Sequence, residues 1–151
     1  MKRYLFALPL ALCVLAALAA VAAKEPPLEG EVTHVRDGDT IEIGRVAIRL
    51  RGVAAPERGE PLGRQATARM KELALGSRVT CEPDGSRSYD RIVAICYLGG
   101  VDVGEVLIRE GLARDCPRFS RGRYGQAEEA AAAAGARIRE QYRLPGYCRP
   151  R

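Results

Sequence analysis

The sequence predicts a small α+β domain dominated by β structure, and suggests a five-stranded, partly closed barrel of the OB type with three helices, although strand count alone does not distinguish this from other small α+β folds. Three observations predict it. Five short runs rich in β-branched and apolar residues are separated by turn chemistry. Helical periodicity appears in three stretches, one inserted among the strands and two after them. The chain has 151 residues, which is room for one small domain. That length excludes an eight-fold βα barrel or two separate α/β halves.

Residues 1–23 come first. They have a basic start (Lys2, Arg3), an uncharged apolar core and an Ala-rich end, which is the layout of a secretory signal peptide. Ala20-Val21-Ala22 offers a cleavage site, so the expected location is the periplasm or the exterior. The alternative is an uncleaved anchor, because the run from Tyr4 to Ala23 is just long enough to span a bilayer. Residues 24–30 read as a linker stiffened by Pro26 and Pro27. Residues 31–148 form the domain, and 149–151 are a tail.

Within the domain, residues 31–36 alternate, with Val32 and Val35 imperfectly placed. Asp37-Gly38-Asp39 is turn chemistry. Strands follow at 40–43 and 45–50, with Gly44 as the tight turn between them. Residues 56–63 are loop. Ala66, Met70, Leu73 and Ala74 fall at helical spacing over 65–75, and Gly76 stops that helix. Residues 79–82 and 92–98 are strands, with the segment between them read as loop. A second helix spans 103–112, with Asp102 and Glu105 at capping-box spacing. A third, rich in Ala, spans 125–142, and its composition needs no functional explanation.

With 24 Lys+Arg against 19 Asp+Glu, the net charge is +5, and removing Lys2 and Arg3 lowers it by two. This permits a polyanion partner without demanding one. His34, the one histidine, sits on the first strand and reads as structural or surface rather than catalytic; no Ser-His-Asp order is built around it, and no Gly-rich P-loop is present. Of five cysteines, Cys13 lies in the leader. The even count left in an exported small domain suggests two disulfides. Three pairings are open. Cys81 and Cys96 sit in runs that read as neighbouring strands, which favours Cys81–Cys96 with Cys116–Cys148 pinning the tail. A zinc site is the rival, but there is no C-x-x-C.

Three segments carry candidate chemistry. Asp37-Gly38-Asp39-Thr40 sets two carboxylates around a turn, suited to a hairpin loop or to a hard cation. In Arg49-Leu50-Arg51-Gly52-Val53-Ala54-Ala55-Pro56-Glu57, alternation puts Arg49 and Arg51 on one face. A small barrel does not bury two unpaired guanidiniums, so Arg49 points at solvent, a carboxylate or a ligand. Tyr89-Asp90-Arg91 enters the strand that holds Cys96.

These motifs, in this order and running on into Arg109-Glu110-Gly111-Leu112-Ala113, resemble the staphylococcal nuclease-like (thermonuclease) family over about residues 31–148. The resemblance implies an OB-type barrel with three helices and calcium-assisted hydrolysis of DNA and RNA phosphodiesters. Arg49 and Arg91 look like the family's phosphate-clamping arginines. Glu57 looks like its proposed general base, and Asp39 like a direct calcium ligand. Ala55 would ligate through its backbone carbonyl, and Asp37 through water. Tyr89 aligns with a Tyr near the scissile phosphate. Phe119 stands where the family has a base-stacking Tyr, keeping the π face and losing the hydroxyl. No stable protein partner is implied, and a monomer is expected.

The residue types suit that chemistry. A phosphodiester gains negative charge as water attacks in line. Two guanidinium forks hold its oxygens and stabilise the added charge. A carboxylate beside the water takes its proton.

One departure matters. The family's second direct calcium carboxylate is Ala54 here, so one direct carboxylate is left. That predicts weaker calcium binding, a changed metal preference, or no metal-dependent activity. Asp90, where the family often has Gly, is a compensating carboxylate, a partner of Arg91, or simply exposed. The alternative function is therefore a non-catalytic OB-type module that binds nucleic acid or another anion. A third reading is a partner-binding domain whose charged residues form structural ion pairs. Arg114, Arg118, Arg121 and Arg123 form either a track for a nucleic-acid backbone or a solvated loop.

Overall fold

The computed structural model describes residues 25–150. The leader and Cys13 lie outside them. Among the described residues eight strands occur in chain order: β1 (Leu28–Val35), β2 (Thr40–Ile43), β3 (Val46–Leu50), β4 (Val53–Ala54), β5 (Arg78–Ser88), β6 (Arg91–Leu98), β7 (Val101–Asp102) and β8 (Arg114–Asp115). The helices are α1 (Gly63–Ala74), α2 (Val103–Arg109), α3 (Pro117–Ser120), α4 (Gly125–Ala133) and α5 (Ile138–Gln141), followed by a 3₁₀ turn at Gly146–Cys148.

The main sheet runs β3-β2-β1-β5-β6-β7, and β3 also pairs with β6. That last pairing is parallel, Ile48 opposite Ile92 and Leu50 opposite Ala94, and it closes the first five strands into a barrel. The fold class is therefore the expected one, with β7 as an additional strand. β4 and β8 form a separate two-stranded ribbon. Val32, Val35, Ile41, Ile48, Leu50, Val79, Met70, Leu107 and Ile108 fill the interior. Val32 and Val35 both reach it because the β1–β2 register shifts between Val32 and His34. That bulge explains their spacing in sequence. His34 is exposed.

Three expectations are corrected. β1 starts at Leu28, within the stretch read as linker. The loop expected after residue 82 is mostly strand: β5 runs on to Ser88 and pairs again at Arg87 opposite Ile92 after an irregularity. Asp84 accepts from the Ser86 amide and hydroxyl, so turn-forming residues are satisfied inside a strand. The third helix is two. α4 ends at Ala133 and the chain turns at Gly135, φ 90°, before α5. With α3, this makes five α-helices among the described residues, against the three expected.

The α2 capping reading holds in part. Asp102 accepts from the Gly104 and Glu105 amides, while Glu105 turns away to pair with Arg109. Both disulfides are the expected ones, Cys81–Cys96 and Cys116–Cys148. The first joins residues that are partners in the β5–β6 register. The second ties the C-terminal turn to the residue before α3.

Candidate active site

The site is built on one face of the barrel by β2, β3, the start of β6 and the loop before α1. Gly38 is needed at the first turn: a Cβ there would lie 2.7 Å from the Cβ of Ala55 and 2.8 Å from that of Ala66. The turn is thus pressed onto the segment after β4. Asp37 accepts the Asp39 amide at 3.0 Å and fixes the turn.

Asp39 is buried and points inward. Its Oδ1 accepts from Arg49 Nη1 at 2.5 Å and from Thr40 Oγ1 at 3.0 Å. Its Oδ2 accepts from the Ala55 amide at 3.2 Å. Burial pushes the Asp39 carboxyl up to about 6, against the pull of Arg49. Thr40 stands opposite Arg49 in the β2–β3 register. Its hydroxyl also accepts from Arg91 Nη1 at 3.0 Å. Arg91 is held further by Ser88, whose carbonyl and hydroxyl take Nε and Nη2. The two arginines are therefore linked through Thr40 and Asp39.

Glu57 is set by backbone packing. A Cβ on Gly63 would fall 1.7 Å from the Glu57 carbonyl oxygen, so only glycine lets α1 start this close beneath it. The Glu57 amide donates to Glu60 Oε2 at 2.7 Å. The Glu57 side chain is exposed, and among the described residues its carboxylate has no hydrogen-bond or ion-pair partner.

Arg49, Glu57 and Arg91 line one cleft of about 500 Å³, together with Arg51, Arg87, Tyr89, Phe119 and Tyr147. Tyr89 is 94% exposed, with the Arg91 guanidinium 5.8 Å from its ring centre. Its φ of 57° is a strained value for a tyrosine, held where β5 turns into β6. The arginine cluster is divided. Arg114 pairs with Glu128, and Arg123 with Asp102. Arg118 lies over Phe119. Asp90 pairs with Arg36 at 2.9 Å, a partner sequence reasoning did not name.

Calcium takes six to eight oxygens, and its affinity follows the number of carboxylates. Asp39 has both oxygens engaged, and Asp37 accepts a backbone amide. Ala54 is 1% exposed, inside an apolar cluster with Cys116, Ile138, Tyr142 and Cys148. Ala55 is buried, and its amide faces Asp39. Among the described residues no three His, Cys, Asp or Glu side chains gather to hold a metal ion. This donor set does not fit the calcium site that the resemblance implies.

Tyr147 and Arg87 line the site and were not named from the sequence, while Arg51 and Thr40 stand in the candidate segments with no role assigned to them. For Tyr147 the signal was present. Cys148 follows it, Phe119 lies three residues after Cys116, and the predicted pairing brings the two aromatics together.

Fold and cleft together define a small OB-type barrel with an arginine-walled cleft and an open carboxylate beside it. Comparison with known proteins gives the family. The model of the staphylococcal nuclease homologue family matches residues 47–139, and the chain belongs to that family. It is 37% identical over 91 residues to an uncharacterized endonuclease of Escherichia coli, covering 57% of this chain and 60% of that protein. It is 35% identical over 129 residues to the succinoglycan biosynthesis protein ExoI of Rhizobium meliloti (strain 1021), covering 78% of this chain and 67% of that protein. A micrococcal nuclease of Shigella flexneri is 29% identical over 121 residues, covering 66% of this chain and 70% of that protein. The chain thus spans less than two thirds of the Escherichia coli relative.

Proposed function

We propose that this protein is an exported, monomeric nuclease that hydrolyses phosphodiester bonds of DNA or RNA. The observation that carries the reading is the convergence of Arg49, Arg91 and the unpartnered Glu57 on one cleft. Arg49 and Arg91 hold the scissile phosphate by its non-bridging oxygens. Glu57 takes the proton of a water that attacks phosphorus in line. The bond from phosphorus to the 5′ oxygen breaks, and that oxygen leaves with a proton from solvent. The products are a 3′-phosphate and a 5′-hydroxyl. The arginines stabilise the charge that builds on the phosphoryl oxygens, and Glu57 supplies general-base catalysis of about 10²–10⁴-fold.

In this reading no step passes through a cation, because the one buried carboxylate at the expected position is committed to Arg49. Export is supported by the layout of residues 1–23 and by two disulfides, which persist in oxidising compartments.

The burial of Ala54 favours a second reading, a module that binds nucleic acid without cleaving it. One experiment separates the two. The disulfide-bonded protein is incubated with single-stranded DNA and RNA, in calcium and in EDTA, beside Glu57→Gln and Arg91→Ala. Cleavage that both substitutions abolish is expected. Salt-dependent binding without cleavage, untouched by Glu57→Gln, would establish the second reading instead.

A further inference from the structure

Tyr147 lies beyond the stretch that the family model matches, in the turn between the last helix and the C-terminus. It nevertheless stands in the cleft beside Arg49, Glu57 and Arg91. The covalent reason is Cys148, bonded to Cys116, which itself lines the cleft. Cys116 and Cys148 are both buried, so the anchor is rigid while the ring beside it is 51% exposed. Phe119, 44% exposed, sits 6.4 Å from Tyr147 between ring centres, the planes tilted by 57°.

Two half-exposed aromatic rings against two cationic side chains form an amphipathic wall. Burial of apolar surface stabilises a fold, and these two rings are left half in water. The ligand that matches has an anionic group for the guanidiniums and a flat apolar group one short step away. A nucleotide unit of a single strand has both, and an unpaired base stacks on any aromatic face regardless of sequence.

We propose that Tyr147, carried to the cleft by the Cys116–Cys148 disulfide, is a substrate-binding residue that packs with Phe119 against an unpaired base next to the bound phosphate. This rests on the nuclease reading above and adds to it a residue from beyond the stretch that the family model matches. It also ties substrate grip to the oxidised state of one disulfide.

The test uses the oxidised protein and short single-stranded oligonucleotides with one cleavable linkage, flanked either by bases or by abasic sugars. On the base-containing strand, Tyr147→Ala raises KM about 5- to 30-fold with kcat within two-fold, as the loss of one stacked base predicts. Tyr147→Phe, which keeps the ring, stays within about two-fold of wild type. On the abasic strand, wild type and Tyr147→Ala become equal, an outcome that loss of structure alone does not give. Cys148→Ser, which removes the Cys116–Cys148 disulfide and leaves Cys81–Cys96 in place, reproduces the Tyr147→Ala effect on KM.

If wild type cleaves and Tyr147→Ala matches it on both strands, the inference is wrong and the nuclease reading stands. It is also wrong if Tyr147→Phe is as impaired as Tyr147→Ala. If wild type neither binds nor cleaves either strand, the nuclease reading falls and takes this inference with it.

Discussion

Arg91 Nη1 donates to Thr40 Oγ1 at 3.0 Å, and Thr40 in turn donates to Asp39, the partner of Arg49. A buried hydroxyl thus fixes the spacing between the two guanidiniums that face the cleft. The pair proposed to hold the phosphate is positioned from behind, by a strand residue that is fully buried.

Thr40→Val removes that hydroxyl and keeps the shape. Arg91 loses one of its three anchors, while Ser88 still holds the others. The expected cost is about 1–2 kcal/mol of stability and about ten-fold in kcat/KM. Thr40→Ser, which keeps the oxygen, recovers most of both. Steady-state kinetics beside thermal melts check this. A Thr40→Val enzyme of full activity would remove Thr40 from the positioning of Arg91.

Replacing either cleft arginine by lysine separates charge from geometry. Lysine keeps the positive charge and loses the planar fork. Arg49→Lys should also loosen Asp39, because the guanidinium contacts its Oδ1. We expect activity to fall about 10- to 100-fold in each variant, against about 10²–10³-fold for Ala. The difference should appear in kcat more than in KM, measured on a single-stranded substrate at fixed salt. Equal activity of Arg and Lys at both positions would mean that the pair acts only as a local field.

The barrel was legible because its strands obey the period-2 pattern and its turns carry Gly and Asp at the joints. The arginines and Glu57 were legible as a motif, yet Glu57 alone is an ordinary loop residue. What positions it is the close approach of Gly63, a contact without a sequence period. The sequence predicts one long third helix where the structure has two, because Ala favours helix on both sides of Gly135 and only the glycine marks the break. Strand β5 was cut short because Pro83, Asp84 and Gly85 read as a turn, whereas pairing to β6 resumes beyond them. Asp90 pairs with Arg36 across strands, a contact that composition does not encode.

The burial of Ala54 bears on metal use. With one carboxylate committed to Arg49, wild-type cleavage should change less than about three-fold between millimolar calcium and EDTA. Ala54→Asp adds a second carboxylate near Asp39, inside an apolar cluster. Without cation it should destabilise the protein by about 2–3 kcal/mol, the cost of a buried polar group lacking partners. Calcium should recover part of that loss, read as a rise in melting temperature. Strong calcium dependence of the wild type would show that Asp39 leaves Arg49 to bind the ion.

Glu128 gives the clearest pH signature. Burial raises its pKa, but Arg139, the Asp115 amide and Arg114 outweigh that, and the net shift is downward. Its Oε1 accepts from Arg114 at 3.0 Å and from Arg139 at 2.9 Å, and Oε2 accepts the Asp115 amide at 2.9 Å. Together these join β8, α4 and α5 behind the ribbon that leads to Cys116. A carboxylate whose folded pKa lies below its unfolded value of about 4.3 binds fewer protons in the folded state, so it stabilises the fold above that pH. The contribution fades as pH falls through the folded pKa. Glu128→Gln should therefore cost ~2 kcal/mol at pH 7, and the gap between variant and wild type should narrow steadily below about pH 4. Asp115 is present in both proteins; its own pKa is raised, chiefly by burial and partly by Glu128. Urea melts at pH 7, 5, 4 and 3 measure the gap. A gap that stays constant down to pH 3 would mean that Glu128 acts by shape and hydrogen bonding alone, with no charge in play.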